Sequence, residues 1–94
     1  MHYRKWDEDD AQGIQSISGM VVLYTELDND GNVRREIGFN KSDEVVHRFP
    51  SRLYRYGTYG LFDNQKVVII DGYSNVTKDE FEKLWGLPDQ VHPK

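Results

Sequence analysis

The chain has 94 residues, 12 Lys+Arg against 16 Asp+Glu, a net charge of −4 and no cysteine. The length sets an expectation of one domain over residues 1–94 with a small core. Without cysteine, disulfides, thiolate catalysis and Cys-bound zinc are excluded, and the acidic balance argues against a dedicated nucleic-acid binder. Val, Ile, Leu and Phe make up about a quarter of the residues, enough to fold. The longest apolar runs, Met20–Tyr24 and Val67–Ile70, are too short to span a bilayer. The opening residues are polar and charged rather than signal-like, so the expected address is the cytoplasm and no membrane partner is expected.

Residues 1–13 hold the acidic run Asp7-Glu8-Asp9-Asp10 and show no apolar period. They read as a mobile or loosely docked arm, with Trp6 as its one candidate anchor, because an indole is costly to leave in water. Met20 to Leu27 is rich in residues that suit a pleated surface and reads as a strand. Asp28-Asn29-Asp30-Gly31-Asn32 is a turn, and Val33 to Phe39 the return strand. A three-residue loop, Asn29-Asp30-Gly31, with Gly31 at positive φ, gathers the apolar residues on one face. It pairs Leu27 with Val33, Leu23 with Ile37 and Val21 with Phe39. On the opposite face Glu26 meets Arg34 and Tyr24 meets Glu36. Arg35, opposite Thr25, is expected at the sheet margin, its stem packed and its head in water.

Asn40-Lys41-Ser42-Asp43 turns the chain into a short strand, Glu44 to Phe49, which Pro50 ends. Val67-Val68-Ile69-Ile70 lacks alternation and reads as a strand buried on both faces. The last element is a helix of about ten residues. Thr77 and Glu80 form a capping box, and Val76 and Phe81 a hydrophobic staple. Phe81, Leu84 and Trp85 make its apolar stripe, Gly86 suits a left-handed C-terminal position, and Pro88 stops continuation. The expected fold is α+β: an antiparallel sheet of four to five strands with one C-terminal helix packed on one face.

Motifs for chemistry are weak. Glu26 to Gly31 partly fits a calcium loop, but the twelfth place holds Ile37 where a bidentate glutamate belongs. His2, His47 and His92 have no metal-ligand spacing, and His47 reads as a satisfied, partly buried histidine on the face of Val45 and Phe49. The serines lack a nucleophile elbow. The expectation is therefore no enzyme, no cofactor, no metal and no catalytic residue. The unusual stretch is residues 47–60, with three arginines, three tyrosines and no acid. It fits a protein–protein interface, an RNA or single-strand binding loop, or a structural loop whose tyrosines cover a sheet edge.

The run Leu23-Tyr24-Thr25-Glu26-Leu27-Asp28 resembles the "LYSELD" strand of a family of small bacterial proteins. Arg34, Arg35, Glu36 and Phe39 are similar to that family's "R-K-V-E-x-F" return strand, and Val76 to Trp85 to its "I-T-x-E-E-F-E-x-x-W" helix. Residues 40–62 depart from the pattern. The resemblance implies a cytosolic immunity protein that binds and neutralises a cognate toxin protein. On that reading Asp7, Glu8, Asp9 and Asp10 steer the partner, and Arg52, Tyr54, Arg55, Tyr56 and Tyr59 anchor it. The alternative is an RNA or single-stranded nucleic-acid module using the Arg/Tyr loop. The sequence leaves the oligomeric state open.

Overall fold

A computed structural model describes residues 1–7, 19–51 and 75–88. Four strands and one helix appear in the order β1 (His2–Asp7), β2 (Met20–Leu27), β3 (Val33–Asn40), β4 (Val45–Phe49) and α1 (Lys78–Trp85). The sheet is antiparallel with the strands in sequence order, β1-β2-β3-β4. This is the α+β arrangement expected from the sequence. The segment Val67–Ile70 lies outside the described residues.

Residues 2–7 form the end strand of the described sheet rather than an arm. Tyr3 pairs in register with Glu26, Lys5 with Tyr24 and Trp6 with Leu23. Tyr3 is buried, and its ring lies 5.3 Å from that of Phe81. Trp6 Nε1 donates to Thr25 Oγ1 at 2.9 Å. The indole therefore anchors β1 through its polar tip while its ring carries the Arg4 guanidinium, 4.5 Å from the ring centre.

The β2–β3 register also differs from the expected one. Leu27 pairs with Val33, but a bulge follows, and Glu26 then faces Arg35, Thr25 faces Glu36 and Tyr24 faces Ile37. Leu23 faces Gly38 and Val22 faces Phe39. One extra residue in β3, Arg34, moves the pairs from Glu26 to Val22 by one step, and a second irregularity between Val22 and Met20 restores the original register at Met20–Asn40. The slip gives Glu26 and Arg35 a shared face. Leu23 is fully buried, as expected, whereas Val21, expected on the same apolar face, is only half-buried. At Gly38 a methyl group would run into Met20 Sδ, so only glycine admits the fully buried Met20 side chain there.

Both sheet faces are buried. Toward α1, Tyr3, Ile37, Phe39 and Val45 form a core with Val76 and Phe81, flanked by Val22, Tyr24, Leu84 and Trp85. On the opposite face Leu23, Thr25, Leu27 and Glu36 have no exposed surface. A further bulge, in β4, pairs Phe39 with Val45 but Gly38 with His47. Val45 thereby joins the helix-side core, and His47 lies on the other face, so the two do not share a side as the unbroken alternation implies.

The start of α1 follows the sequence signals. Thr77 is the N-cap and its Oγ1 accepts from Glu80 N at 3.1 Å. The Glu80 carboxylate binds back to the Thr77 hydroxyl at 3.1 Å. The end does not. Gly86 is right-handed, with φ −77°, and its N–H continues the helix to Glu82 O. The exposed carbonyls are met from another element instead. Arg48 of β4 donates Nη1 to Trp85 O and Nη2 to Leu87 O, both at 2.7 Å. A cation at the negative helix end also favours the dipole, so a left-handed glycine is not needed there.

Candidate functional site

The two hairpin turns bring β2, β3 and β4 together with the same wiring. Asp28 Oδ1 accepts from the backbone N–H of Asp30 and of Asn32, both at 3.0 Å. Asn40 Oδ1 accepts from Ser42 N at 2.9 Å and Glu44 N at 3.0 Å. In both, the head residue also pairs its own N–H with the carbonyl four residues on, at 3.0 Å. Gly31 takes φ 85° as the loop requires. The backbone N–H of Asn32 is the main reason the Asp28 carboxyl is held below its ordinary range. What reads partly as a calcium loop is thus a carboxylate spent on its own turn.

The densest polar cluster lies where α1 crosses the sheet. Arg35 binds Glu26 with a two-pronged contact, Nε to Oε1 at 2.8 Å and Nη2 to Oε2 at 2.7 Å. The same Nη2 binds Glu82 of α1. Tyr3 donates its hydroxyl to Glu26 Oε2 at 3.0 Å. The guanidinium lies over Phe81, at 5.0 Å, and over Trp85, at 5.1 Å. Trp85 carries a second guanidinium, that of Arg48, 4.9 Å from its ring centre. Two carboxylates, two arginines and three aromatic rings thus join β1, β2, β3, β4 and α1.

The electrostatics follow from those contacts. Arg35 first, then Tyr3, hold the Glu26 carboxyl below the ordinary glutamate range, against the opposing effect of burial. Burial, then the bond to Glu26, raises the Tyr3 hydroxyl. The Glu26 bonds likewise raise Arg35. Glu26 accepts three hydrogen bonds and is held as the anion, so its place is structural: it fixes Arg35, and Arg35 fixes the helix. Arg35 therefore does not hold its head in water at the sheet margin. The bulge puts it opposite Glu26, with a side chain only 22% exposed.

A second pair lies on the other face. His47 Nε2 meets Glu36 Oε1 at 2.8 Å, with side chains 3% and 1% exposed. His47 is thus satisfied, as its sequence setting suggests, but its partner is a buried glutamate that the expected register places elsewhere. Neighbouring Thr25 accepts from Trp6 and donates to Arg4 O at 3.4 Å.

Of the residues that sequence reasoning nominates for a partner, Asp7 is the exposed last residue of β1, in register with Val22. Glu8, Asp9, Asp10, Arg52, Tyr54, Arg55, Tyr56 and Tyr59 lie outside the described residues. The structure brings Asp7 close in sequence to the Trp6 anchor and to Lys5. The backbone of Lys5 is held on its outer side by Asn75: Asn75 Oδ1 accepts from Lys5 N at 2.7 Å and Nδ2 donates to Lys5 O at 3.3 Å. The Asn75 N–H also reaches Tyr3 O at 3.2 Å. Sequence reasoning missed Asn75, Arg48 and the Arg35 fork. Their partners are 70, 37 and 47 positions away along the chain for the contacts to Lys5, Trp85 and Glu82, so no local pattern announces them.

Among the described residues, no three His, Cys, Asp or Glu side chains gather as a metal site, and no helix is long and apolar enough to cross a membrane. Comparison with protein-family models, with curated proteins and with solved structures finds no match to this chain.

Proposed function

We propose that the protein is a non-enzymatic binding module, most concretely an immunity protein that captures and neutralises a cognate toxin protein in the cytoplasm. One observation carries the reading. The acidic run starts at Asp7, and Asp7 ends a strand pinned on its inner side by β2 and on its outer side by Asn75. A fixed root for clustered negative charge suits electrostatic capture of a basic partner, because a preformed field speeds encounter without ordering cost. The internal placement of the described buried polar pairs supports it further. Glu26 with Arg35, and Glu36 with His47, stabilise the scaffold.

The test is co-expression and binding with the product of the neighbouring gene. The expected result is growth rescue and a stable complex. The variant D7N/E8Q/D9N/D10N then associates about tenfold more slowly at low salt, with an unchanged dissociation rate. Alanine at Arg52, Tyr54, Arg55, Tyr56 and Tyr59 raises the dissociation rate instead. Absence of both rescue and complex overturns the reading.

A further inference from the structure

The turn between β2 and β3 carries the dipeptide Asp30-Gly31. In a carboxyl residue followed by glycine, no Cβ keeps the next backbone nitrogen away from the carboxyl carbon. Asp30 is exposed, and among the described residues no hydrogen bond or ion pair engages its carboxylate. The matching place in the β3–β4 turn holds Ser42, which has no carboxyl carbon to attack.

Three backbone N–H groups of the β2–β3 turn converge on Asp28. Asp30 N and Asn32 N bind Asp28 Oδ1, both at 3.0 Å, and Gly31 N binds Asp28 O at 3.1 Å. The nitrogen beside the Asp30 carboxyl is thus held on a carbonyl, and the residues on either side of Gly31 are held on a carboxylate. A peptide unit fixed in this way does not turn toward the side chain before it.

We propose that Asp30-Gly31 is a site of spontaneous isoaspartate formation, latched by Asp28. When the turn opens, Gly31 N attacks Cγ of the Asp30 carboxyl in its protonated form. The N–Cγ bond forms and the Cγ–OH bond breaks, and the hydroxyl leaves with the amide proton as water. The product is a five-membered succinimide, to which water then adds. Breaking N–Cγ restores aspartate. Breaking the bond from that nitrogen to the Asp30 backbone carbonyl carbon leaves the chain running through the side chain, as isoaspartate. Nothing is oxidised or reduced, and the mass returns to its starting value. The new link is one carbon longer, in a loop where Asp28 N also binds Asn32 O at 3.0 Å and Leu27 pairs with Val33. Isoaspartate therefore loosens the hairpin that sets Glu26 against Arg35. Opening is fast against this chemistry, so the rate follows the fraction of molecules with the latch open.

The experiment incubates the parent chain and its variants at neutral pH and follows the tryptic peptide of residues 6–34, in which isoaspartate changes retention but not mass. Asp71-Gly72 lies on a different tryptic peptide and is read apart. Methyl transfer from S-adenosylmethionine by an isoaspartyl methyltransferase counts the product independently. The folded parent is expected to isomerise at residue 30 about tenfold more slowly than the same chain in denaturing urea. D28A is expected to raise the folded rate about tenfold. D28N keeps an uncharged acceptor, raises the rate about threefold, and serves where D28A does not fold. N40A removes the equivalent bonds from Ser42 N and Glu44 N in the β3–β4 turn and leaves Asp28 in place. It separates a local latch from a general loss of stability, and its rate at residue 30 is expected to match the parent's. The proposal is overturned if D28A, or D28N in its stead, keeps the parent rate, or if N40A speeds residue 30 as much as D28A does. A folded parent that isomerises as fast as the unfolded chain overturns it too, as does an unfolded chain that forms no isoaspartate at residue 30.

Discussion

Glu26 and Glu36 sit on adjacent strands and are each bound by a base, yet the two faces of the sheet use them differently. Glu26 belongs to a seam. Its partner Arg35 is 22% exposed, and the third member, Glu82, is 43% exposed and comes from the helix. The fork ties layers together where water still screens the charges. Glu36 and His47 are 1% and 3% exposed and tie β3 to β4 within the interior. There the bond is stronger and so is the cost of losing half of it, because the remaining group stays away from water. An ion pair at the seam therefore sets orientation, and a hydrogen-bonded pair in the core sets an all-or-none demand on both partners.

The largest expected effect tests that demand. His47→Leu removes the 2.8 Å bond to a fully buried carboxylate and lowers unfolding free energy by about 3 kcal/mol. Replacing both partners, His47→Leu with Glu36→Met, recovers part of the loss, since neither member of the pair is then left buried without the other. Urea unfolding midpoints at constant slope measure both. A double variant no more stable than the single one would break the comparison, by showing that the pair holds β4 in ways that burial does not account for.

The seam predicts a smaller and pH-dependent loss. Glu26→Gln keeps the shape and one acceptor, and costs about 1–2 kcal/mol at neutral pH. The Glu26 carboxyl is lowered in the folded state, chiefly by Arg35. Its contribution is therefore complete above the ordinary glutamate value of 4.5 and is lost as pH falls through that value toward the lower folded one. The stability difference between parent and Glu26→Gln shrinks over that interval. A difference that stays constant as the solution is acidified would mean that the fork carries no linkage to proton binding.

The local parts of this architecture were legible in the sequence and the long-range parts were not. Thr77, Glu80 and Gly31 act within a few residues of their partners, and the structure finds them in the roles their types imply. β1 reads as an arm in the sequence because His2 to Asp7 buries only Tyr3 fully, its other side chains being half-buried or exposed. A strand of that composition has no apolar alternation to detect. Side-chain matching gives a register one residue off because it assumes an unbroken ladder, and a bulge at Arg34 satisfies Leu27–Val33 and Glu26–Arg35 together. The end of α1 was misread because its cap is Arg48, a residue of another element. Of the candidate partner residues only Asp7 falls within the described structure, so that part of the reading stands on charge and composition.

The two turns supply the finest test, because they share a wiring and differ in the residue type that takes the positive φ. Gly31 and Asp43 occupy the same place, three residues after Asp28 and Asn40, with φ 85° and 60°. Each donates its N–H to the carbonyl of its turn's head residue, at 3.1 and 3.0 Å. Glycine adopts this region without steric cost, and aspartate adopts it more easily than most residues but still against its preference. Asp43→Gly is therefore expected to stabilise the fold by about 0.5 kcal/mol, the strain relief exceeding the entropy that glycine adds to the unfolded chain. Gly31→Ala runs the other way and costs about 1 kcal/mol, since a Cβ is forced into the left-handed region. Thermal unfolding of the two variants side by side measures the difference. If Asp43→Gly destabilises instead, the Asp43 side chain contributes more to its turn than the backbone strain it carries, and the equivalence of the two hairpins ends at their main chains.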